Sequence, residues 1–192
     1  NGEVVMKMVN RGTPQGGVLS VNYWNPNMDD LLGRFQAGRS GDVNAFADDL
    51  MDMVIGIDEA IMVRILQRDI RIFEEWAGEH SLNFSASKTK VMIFTNKRKV
   101  KELPLFMEGK EIEYVDNFKY LGVTLDSKLT FTKHIDNISK RAAMTMAQCR
   151  RMIAKNWGLK PYICKWLFTS LIRPIMTYSC FIWINSTNKS TH

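Results

Sequence analysis

The chain has little cysteine and little histidine for its 192 residues. Cys149, Cys164 and Cys180 are an odd number at wide spacing, and the three histidines also lack the short repeated spacings of a zinc site. A disulfide framework needs paired cysteines, so this composition argues against a small disulfide-stapled scaffold. It favours a reduced, intracellular compartment.

A long uninterrupted apolar segment is also missing. Residues 162–184 come nearest to one, but Lys165, Arg173 and Pro174 interrupt them. Because charged side chains are costly inside a bilayer, we predict a buried helix pair here rather than a membrane span. The chain begins at Asn1 without a charged-then-apolar leader, and we expect an internal piece of a longer protein.

Acidic residues are nearly absent from the last third of the chain. Residues 128–192 hold eleven Lys and Arg but one acid, Asp136, for a net charge of +10, whereas residues 1–127 carry −4. Such a basic segment is typical of proteins that bind a polyanion. The alternative is a solvated helical face whose composition is biased by chance.

The hydrophobic pattern predicts an α+β chain. A hairpin is expected over residues 42–57, and a helix over residues 58–79 that ends at Gly78. The apolar stripe of this helix would consist of Met62, Leu66, Ile70, Phe73 and Ala77. Further strands are predicted at residues 3–9, 91–95, 103–107, 111–115 and 119–125. Two further helices are predicted, at residues 132–156 and from Pro161 onward.

A loop at residues 11–17 contains three glycines and a proline, and it opens a helix that should run through Leu32. Thr13 is the expected N-cap, with Pro14 in the first turn, where its missing N–H costs nothing. Pro26 lies inside this helix, where a proline removes a hydrogen bond and costs about 3 kcal/mol, so we expect a kink. Asp29 and Asp30 on the same helix are expected to be solvated or capping acids.

Two adjacent acids, Asp48 and Asp49, occupy the tip of the predicted hairpin. A tight turn lets neighbouring side chains approach one site, whereas a regular strand would point them apart. Burying two carboxylates together is costly unless a cation neutralises them. One interpretation is therefore a Mg²⁺ site, since Mg²⁺ binds to a few carboxylates together with water and substrate phosphates. The other is a solvated turn.

Several motifs in this order resemble the later motifs of reverse transcriptases from non-LTR (LINE-like, jockey-type) retrotransposons. They are Arg11–Ser20, Phe46-Ala47-Asp48-Asp49, Leu82-Asn83-Phe84-Ser85 with Lys88-Thr89 and Met92-Ile93-Phe94, and Tyr120-Leu121-Gly122-Val123. The resemblance continues through Asp126, His134-Ile135 and Trp157-Gly158-Leu159, and it covers nearly the whole chain.

This resemblance implies an RNA-directed DNA polymerase that takes an RNA template, a DNA primer and dNTPs. Residues 1–127 would be part of its palm, and residues 128–192 a basic, helical, thumb-like region. Asp48 would bind one or both of two Mg²⁺ ions, with Mn²⁺ as an alternative, and Asp49 would support it. The protein would act in a ribonucleoprotein of the nucleus and cytoplasm, without a membrane.

The resemblance also assigns roles outside the Asp pair. Lys88 would assist the departure of pyrophosphate, with Lys90 as the nearby alternative. The loop that approaches nucleotide and template would include Gly12, Pro14, Gln15, Gly16 and Gly17. The hairpin that grips the primer would include Phe118, Tyr120, Leu121 and Gly122, although Phe118 and Tyr120 would serve equally well in a core. Phosphate contacts would come from Lys140, Arg141, Arg150, Arg151 and Lys155.

Two departures from the family pattern limit these implications. The family has a further metal-binding aspartate on a strand before the loop, but here the ten residues before Arg11 contain one acid, Glu3. Residues 21–27 also differ from the usual Pro-Leu-Leu-Trp-Asn-Leu and retain only Trp24 and Asn25 in place. We therefore expect this chain alone to be inactive. The alternative function is a catalytically inactive, reverse-transcriptase-derived nucleic-acid-binding fragment or element remnant.

Overall fold

The computed structural model describes residues 17, 19–35, 40–97, 100–151 and 159–187. They form two compact units, one from the described residues of 1–89 and 101–112 and the other from those of 90–100 and 113–192. Both units combine helices with two-stranded sheets, which confirms the α+β class. The boundary predicted at residue 127 falls within the second unit, and the division into palm and thumb stays a prediction.

The first unit packs two helices against one face of a hairpin. Its main elements are α1 (Ser20–Gly33), β1 (Gly41–Phe46), β2 (Asp49–Val54) and α2 (Glu59–His80). The strands pair antiparallel from Gly41 opposite Val54 to Phe46 opposite Asp49. Side chains alternate between the two faces of a strand, and one face meets the helices. The core here consists of Met28, Leu31, Phe73, Trp76 and Ala77, with Val43, Ala45 and Leu50 of the hairpin packed against it.

Helix α2 follows the sequence pattern closely. The predicted stripe faces inward, with Ile70, Phe73 and Ala77 buried. Asp58 caps the helix, because its carboxylate accepts hydrogen bonds from the N–H groups of residues 60 and 61. The predicted end at Gly78 was wrong. The helix continues to His80 and ends where Ser81 adopts a left-handed φ of 54°.

Helix α1 runs through Pro26 as a single helix and is fastened to α2 by polar contacts. The carboxylate of Asp30 accepts hydrogen bonds from the buried indole of Trp76 at 3.0 Å and from Arg34 at 3.2 Å. The side chain of Asp30 is exposed, as predicted, and it also links the two helices, which the sequence did not predict. Arg34 also pairs with Glu79, and its hydrogen bond lowers the pKa of that carboxyl. The prediction that Thr13 caps this helix was wrong, because α1 begins at Ser20 with Leu19 as its N-cap residue; Thr13 itself lies outside the described residues.

The remaining strands are short. They are β3 (Lys90–Val91), β4 (Phe106–Met107), β5 (Lys110–Glu111), β6 (Glu113–Tyr114), β7 (Asn117–Tyr120) and β8 (Val123–Asp126). Strand β3 pairs parallel with β6, while β4–β5 and β7–β8 are hairpins. The single strand predicted at residues 119–125 was wrong, because the chain reverses at Leu121 and Gly122. The strand predicted at residues 91–95 is reduced to β3.

Helices dominate the end of the second unit. They are α3 (Thr132–Arg150), α4 (Pro161–Leu167), a π-helical segment (Phe168–Ile172), α5 (Arg173–Thr177) and α6 (Cys180–Thr187). The run from α4 to α5 meets α6 at 66°. A local core forms from Val123, Phe131 and Trp183. No single helix in the described ranges has the length and apolarity of a membrane span, and α4–α5 with α6 would qualify only as a bent pair.

The burial expected for residues 162–184 was wrong. Ile172 and Trp183 are buried, but most of the large apolar side chains of this segment are exposed, including Tyr162, Trp166 and Phe181. The described packing of this segment involves α3 and β8, which cover one side of it. An apolar sequence therefore predicted the helices but not how much of their surface would be covered.

Candidate functional site

The Asp48–Asp49 turn forms the exposed tip of the β1–β2 hairpin. Ala47 has a left-handed φ of 55°, Asp48 follows it in the turn, and Asp49 pairs with Phe46 at the start of β2. Both acids are exposed. No hydrogen bond or ion pair engages either carboxylate within the part of the chain that the structure describes. Val43, Ala45 and Leu50 of the two strands pack against the core, so the tip is presented from a supported base.

Helix α1 holds this turn directly. The indole N–H of Trp24 donates a hydrogen bond of 2.9 Å to the backbone carbonyl of Ala47. Trp24 also packs against the core of the first unit. Sequence reasoning missed this contact, although Trp24 and Asn25 are the two residues of their segment that agree with the family pattern. Trp24 therefore positions the residue immediately before the two acids.

The two carboxylates suit a magnesium ion as part of its ligand set. Mg²⁺ prefers hard oxygen ligands and often binds through only one or two carboxylates, completing its shell with water and phosphate. Among the described residues, no group of three or more His, Cys, Asp or Glu side chains is arranged to hold a metal. The pair thus fits a site whose other ligands would be phosphates, water or groups outside the described ranges.

The remaining site residues predicted in the first unit are only partly described. Gly17 is exposed, and its carbonyl accepts a hydrogen bond from the N–H of Ser20 at the start of α1. Gly12, Pro14, Gln15 and Gly16 lie outside the described residues.

Lys88 and its alternative, Lys90, differ in their partners. Lys88 is exposed in a turn closed by its own N–H to the carbonyl of Ser85. Its amine has no hydrogen bond or ion pair among the residues described. The amine of Lys90 is instead paired with Glu113. Lys88 is therefore the freer of the two cations, and its assignment stays a prediction.

The hairpin predicted to grip a primer is present as β7–β8. Its turn at Leu121 and Gly122 is exposed, as is Phe118, while Tyr120 is half-buried. Phe118 therefore does not take the alternative role in a core. The hairpin is available to a ligand at its tip, and its contact with a primer stays a prediction.

A buried histidine supports this hairpin from α3. The N–H of Thr124 donates to Nδ1 of His134 at 3.3 Å, which leaves the proton of the neutral ring on Nε2. Burial, and then the charge of Lys119, lower the pKa of His134. The ring of Trp183 stands edge-on to His134, with centroids 5.8 Å apart. The resemblance had marked His134 without giving it this role.

Asp126 organises the loop that joins β8 to α3. Its carboxylate accepts hydrogen bonds from the N–H groups of Lys128, Thr130 and Phe131 at 3.1, 3.0 and 2.6 Å, and from the Thr130 hydroxyl at 3.2 Å. Burial raises the pKa of Asp126, but these hydrogen bonds outweigh it and hold the pKa below its ordinary value. Helix α3 therefore begins from a fixed loop.

Helix α3 presents basic side chains on the side away from its buried residues. Lys133, Lys140 and Arg151 are seven and eleven residues apart, which corresponds to about two and three turns and places them on one side. The buried Ala142 and Cys149 lie on the other. Lys140 pairs with Asp136 at 2.6 Å, one turn away.

The other predicted phosphate-binding residues are also on or near this helix. Arg141 and Arg150 are exposed, as is Arg151. None of these three guanidinium groups has a hydrogen bond or ion pair within the described ranges. Lys155 lies outside the described residues.

Comparison with known proteins gives consistent matches. The family model for "Reverse transcriptase (RNA-dependent DNA polymerase)" matches residues 1–125. The chain is 28% identical over 182 residues to the "Putative 115 kDa protein in type-1 retrotransposable element R1DM" of Drosophila melanogaster, covering 94% of the chain and 17% of that protein. No solved structure gives a significant match.

Two further relatives show the same relationship. A Pol polyprotein from the type-1 retrotransposable element R1 2 of Nasonia vitripennis is 26% identical, over 90% of the chain and 43% of its own length. The RNA-directed DNA polymerase from the mobile element jockey of Drosophila melanogaster is 25% identical, over 93% of the chain and 20% of its own length. The chain thus spans less than half the length of each of these three relatives.

Proposed function

Because the chain belongs to the reverse transcriptase family and resembles the reverse transcriptases of non-LTR retrotransposons, we propose that it takes part in RNA-directed DNA synthesis. It would supply two carboxylates of a two-metal site and a basic surface for the template–primer duplex. The palm would be represented by residues 1–127, and a thumb-like region by residues 128–192.

The observation that carries this proposal is the Asp48–Asp49 turn. Its carboxylates are exposed and have no partner among the described residues, while Trp24 fixes the backbone just before them. Two bound divalent ions would lower the pKa of the primer 3′-hydroxyl and offset charge on the leaving oxygens. The role of this chain would be to hold the two carboxylates ready at one place, so that little reorganisation is needed when ions and nucleotide arrive.

Other residues would act on the substrates around this turn. Lys88 would steady the negative charge of the departing pyrophosphate through its ammonium group, which has no partner among the residues described. The glycines at residues 12, 16 and 17 would let the backbone approach nucleotide and template, because glycine has no side chain in the way. In the second unit, the β7–β8 hairpin would contact the primer, and the basic side of α3 would contact phosphates.

Mn²⁺ is a direct probe of the carboxylate pair, because it broadens the NMR signals of nearby nuclei and can replace Mg²⁺. We expect Mn²⁺ to broaden the amide signals of residues 46–50 in the wild type, and much less in Asp48→Asn. Asp29→Asn removes an exposed acid from α1 and should leave the broadening unchanged. Equal broadening in wild type and Asp48→Asn would contradict the assignment of Asp48 as a metal ligand.

The alternative is a chain that binds nucleic acid without taking part in catalysis. It is favoured by one observation, that only two acids meet at the hairpin tip among the described residues. The same experiment separates the two functions. A binding-only protein would show no Mn²⁺ broadening at residues 46–50 but would still bind an RNA–DNA hybrid.

A further inference from the structure

The turn of the β7–β8 hairpin is held by one side chain from the helical region of the same unit. The hydroxyl of Tyr178 donates a hydrogen bond of 2.9 Å to the carbonyl of Leu121. The ring of Tyr178 lies over Gly122, where an added Cβ would come within 2.9 Å of ring atom Cε1. Tyr178 therefore contacts both residues of the turn.

The backbone of this turn needs support. Leu121 has a φ of 44° and Gly122 a φ of 85°. Glycine adopts such values readily, but they are uncommon for leucine. A hydrogen bond to the Leu121 carbonyl helps to fix the orientation of its peptide group. Without such support, leucine would rarely adopt this backbone conformation. This gives the Tyr178 contact a conformational effect on the turn.

Tyr178 is itself fixed by the bend between α5 and α6. Its N–H donates to the carbonyl of Pro174 at 3.0 Å, and its carbonyl accepts a hydrogen bond of 3.1 Å from the indole of Trp183. Trp183 is only 8% exposed and is anchored in the local core. The Tyr178 ring therefore projects from a backbone that is held on both sides.

A second set of contacts also connects Trp183 to the hairpin. Trp183 packs edge-on against His134, and His134 accepts the N–H of Thr124 on strand β8. The hairpin is thus fastened at its tip by Tyr178 and along its second strand by His134. Both contacts lead to Trp183, so the tip and the bend between α5 and α6 form one connected structure.

We propose that Tyr178 is a positioning residue for the primer grip, an inference that rests on the proposed function of the β7–β8 hairpin. It holds the exposed Leu121–Gly122 turn in a single conformation before the primer end arrives. A preformed turn loses less conformational freedom on binding, and this favours affinity for the ligand it contacts. The effect is specific to duplexes that offer a primer terminus to the turn.

Hydrogen–deuterium exchange of the full chain tests the contact itself. Tyr178→Phe removes the hydroxyl and keeps the ring over Gly122. We expect exchange in a peptide covering residues 117–126 to accelerate by about two- to tenfold, the range that one neutral hydrogen bond supports. Tyr162→Phe is the matched control, because Tyr162 is exposed on α4. Unchanged exchange in Tyr178→Phe would show that the hydroxyl does not hold the turn.

Binding of two RNA–DNA hybrids tests the positioning role. One hybrid has a recessed DNA 3′ end on a longer RNA strand, and the other is closed by a loop at each end and has no free DNA 3′ end. Wild type should bind the recessed hybrid more tightly. Tyr178→Phe should reduce this preference while leaving affinity for the closed hybrid unchanged, a pattern that general loss of stability would not produce.

The outcomes separate the inference from the function on which it rests. Failure of the wild type to bind either hybrid, or equal binding of both, overturns the primer-grip function and with it the role of Tyr178. A preference that persists unchanged in Tyr178→Phe overturns the positioning role alone.

A pair of glycine substitutions tests the ring contact independently. Gly109→Ala and Gly122→Ala both place a side chain at a positive φ, but only the second meets a neighbour, the ring of Tyr178. Gly122→Ala should therefore lower Tm more than Gly109→Ala does. The extra loss should diminish in a Tyr178→Ala background, where the ring is absent. An extra loss of Tm in Gly122→Ala that is the same with Tyr178 and with Tyr178→Ala would exclude the ring contact.

Discussion

At the scale of single residues, the candidate metal site depends on an indole. Trp24 reaches from α1 to the carbonyl of Ala47, one residue before Asp48. Ala47 has a left-handed φ, which is uncommon for a residue with a Cβ. The hydrogen bond therefore acts where the hairpin backbone departs most from ordinary strand geometry. A small change at Trp24 should loosen the turn without dismantling the hairpin.

Trp24→Phe tests this dependence. The phenyl ring keeps much of the apolar packing but has no N–H to donate, so we expect a loss of about 1 kcal/mol in the free energy of unfolding. Exchange of the amides at residues 46–49 should accelerate more than exchange in α2. Trp166→Phe, at an exposed position on α4, is the control. A turn equally protected in Trp24→Phe and wild type would contradict the role of the indole.

Acidic residues mark the limit of sequence reasoning at this scale. Asp58 was identifiable as a helix cap because its role depends on neighbours in sequence. Asp30 was not, because its partner Trp76 is 46 positions away. Asp69 lies next to the apolar stripe of α2 and is fully buried beside Arg68, at 3.2 Å. Neither acid carries a local pattern that distinguishes it from a solvated one.

At the scale of elements, the loop between β8 and α3 depends on one carboxylate. Asp126 accepts four hydrogen bonds from the loop, three of them from backbone N–H groups. These bonds favour the charged form, so the pKa of Asp126 is lower in the folded protein than in the unfolded chain. Its contribution to stability is fully present above the unfolded pKa, about 3.9, and is lost as the pH falls through the folded pKa.

Asp126→Asn should therefore destabilise the protein at neutral pH by about 2 kcal/mol, since hydrogen bonds to a charged group contribute roughly that much. The difference from wild type should shrink as the pH falls below about 4, because the carboxylate then takes up a proton in the unfolded chain before it does so in the folded protein. Urea unfolding at pH 7 and pH 3 measures both effects. Asp116→Asn, at an exposed acid in the same unit, is the control. A difference that is constant with pH would contradict the role of the charge.

Elements built from local patterns were predictable, and those that depend on distant contacts were not. The α2 stripe and the β1–β2 hairpin follow from residue periodicity and a short turn. The β7–β8 turn was missed by the strand pattern because Leu121 is an apolar residue in a backbone conformation that usually favours Gly or Asn. Its support comes from Tyr178, 57 positions later. The resemblance, which compares whole motifs, correctly indicated a hairpin there.

At the scale of the whole molecule, acidic and basic residues are concentrated in different parts of the sequence. The first 127 residues carry −4 and include the Asp48–Asp49 turn, whereas the last 65 carry +10. Carboxylates that are to bind metal ions gain nothing from phosphate-binding Lys and Arg side chains placed among them. A basic segment, conversely, attracts a polyanion most strongly when acids are absent from it. The same separation would serve a catalytic chain and a binding-only chain.

Salt dependence measures the binding surface on α3. Each phosphate contact releases condensed counterions, so affinity for a duplex falls steeply as salt rises, and removing one contact reduces the slope of log K against log salt by about one. Arg150→Gln/Arg151→Gln removes two exposed guanidinium groups and should lower the slope by up to about two, with affinity reduced for every sequence alike.

The matched control for this pair is Lys110→Gln on β5, which removes an exposed cation from the other unit. It should leave the slope unchanged if binding is confined to the basic helical region. Lys140→Gln should give a result between those of the arginine pair and Lys110→Gln, because Lys140 already neutralises Asp136. Its removal leaves Asp136 uncompensated on the binding side, so affinity for the duplex should fall. The slope should change little, because few counterions were associated with the Lys140–Asp136 pair. A slope that stays the same in Arg150→Gln/Arg151→Gln would exclude this end of α3 as a phosphate-binding surface.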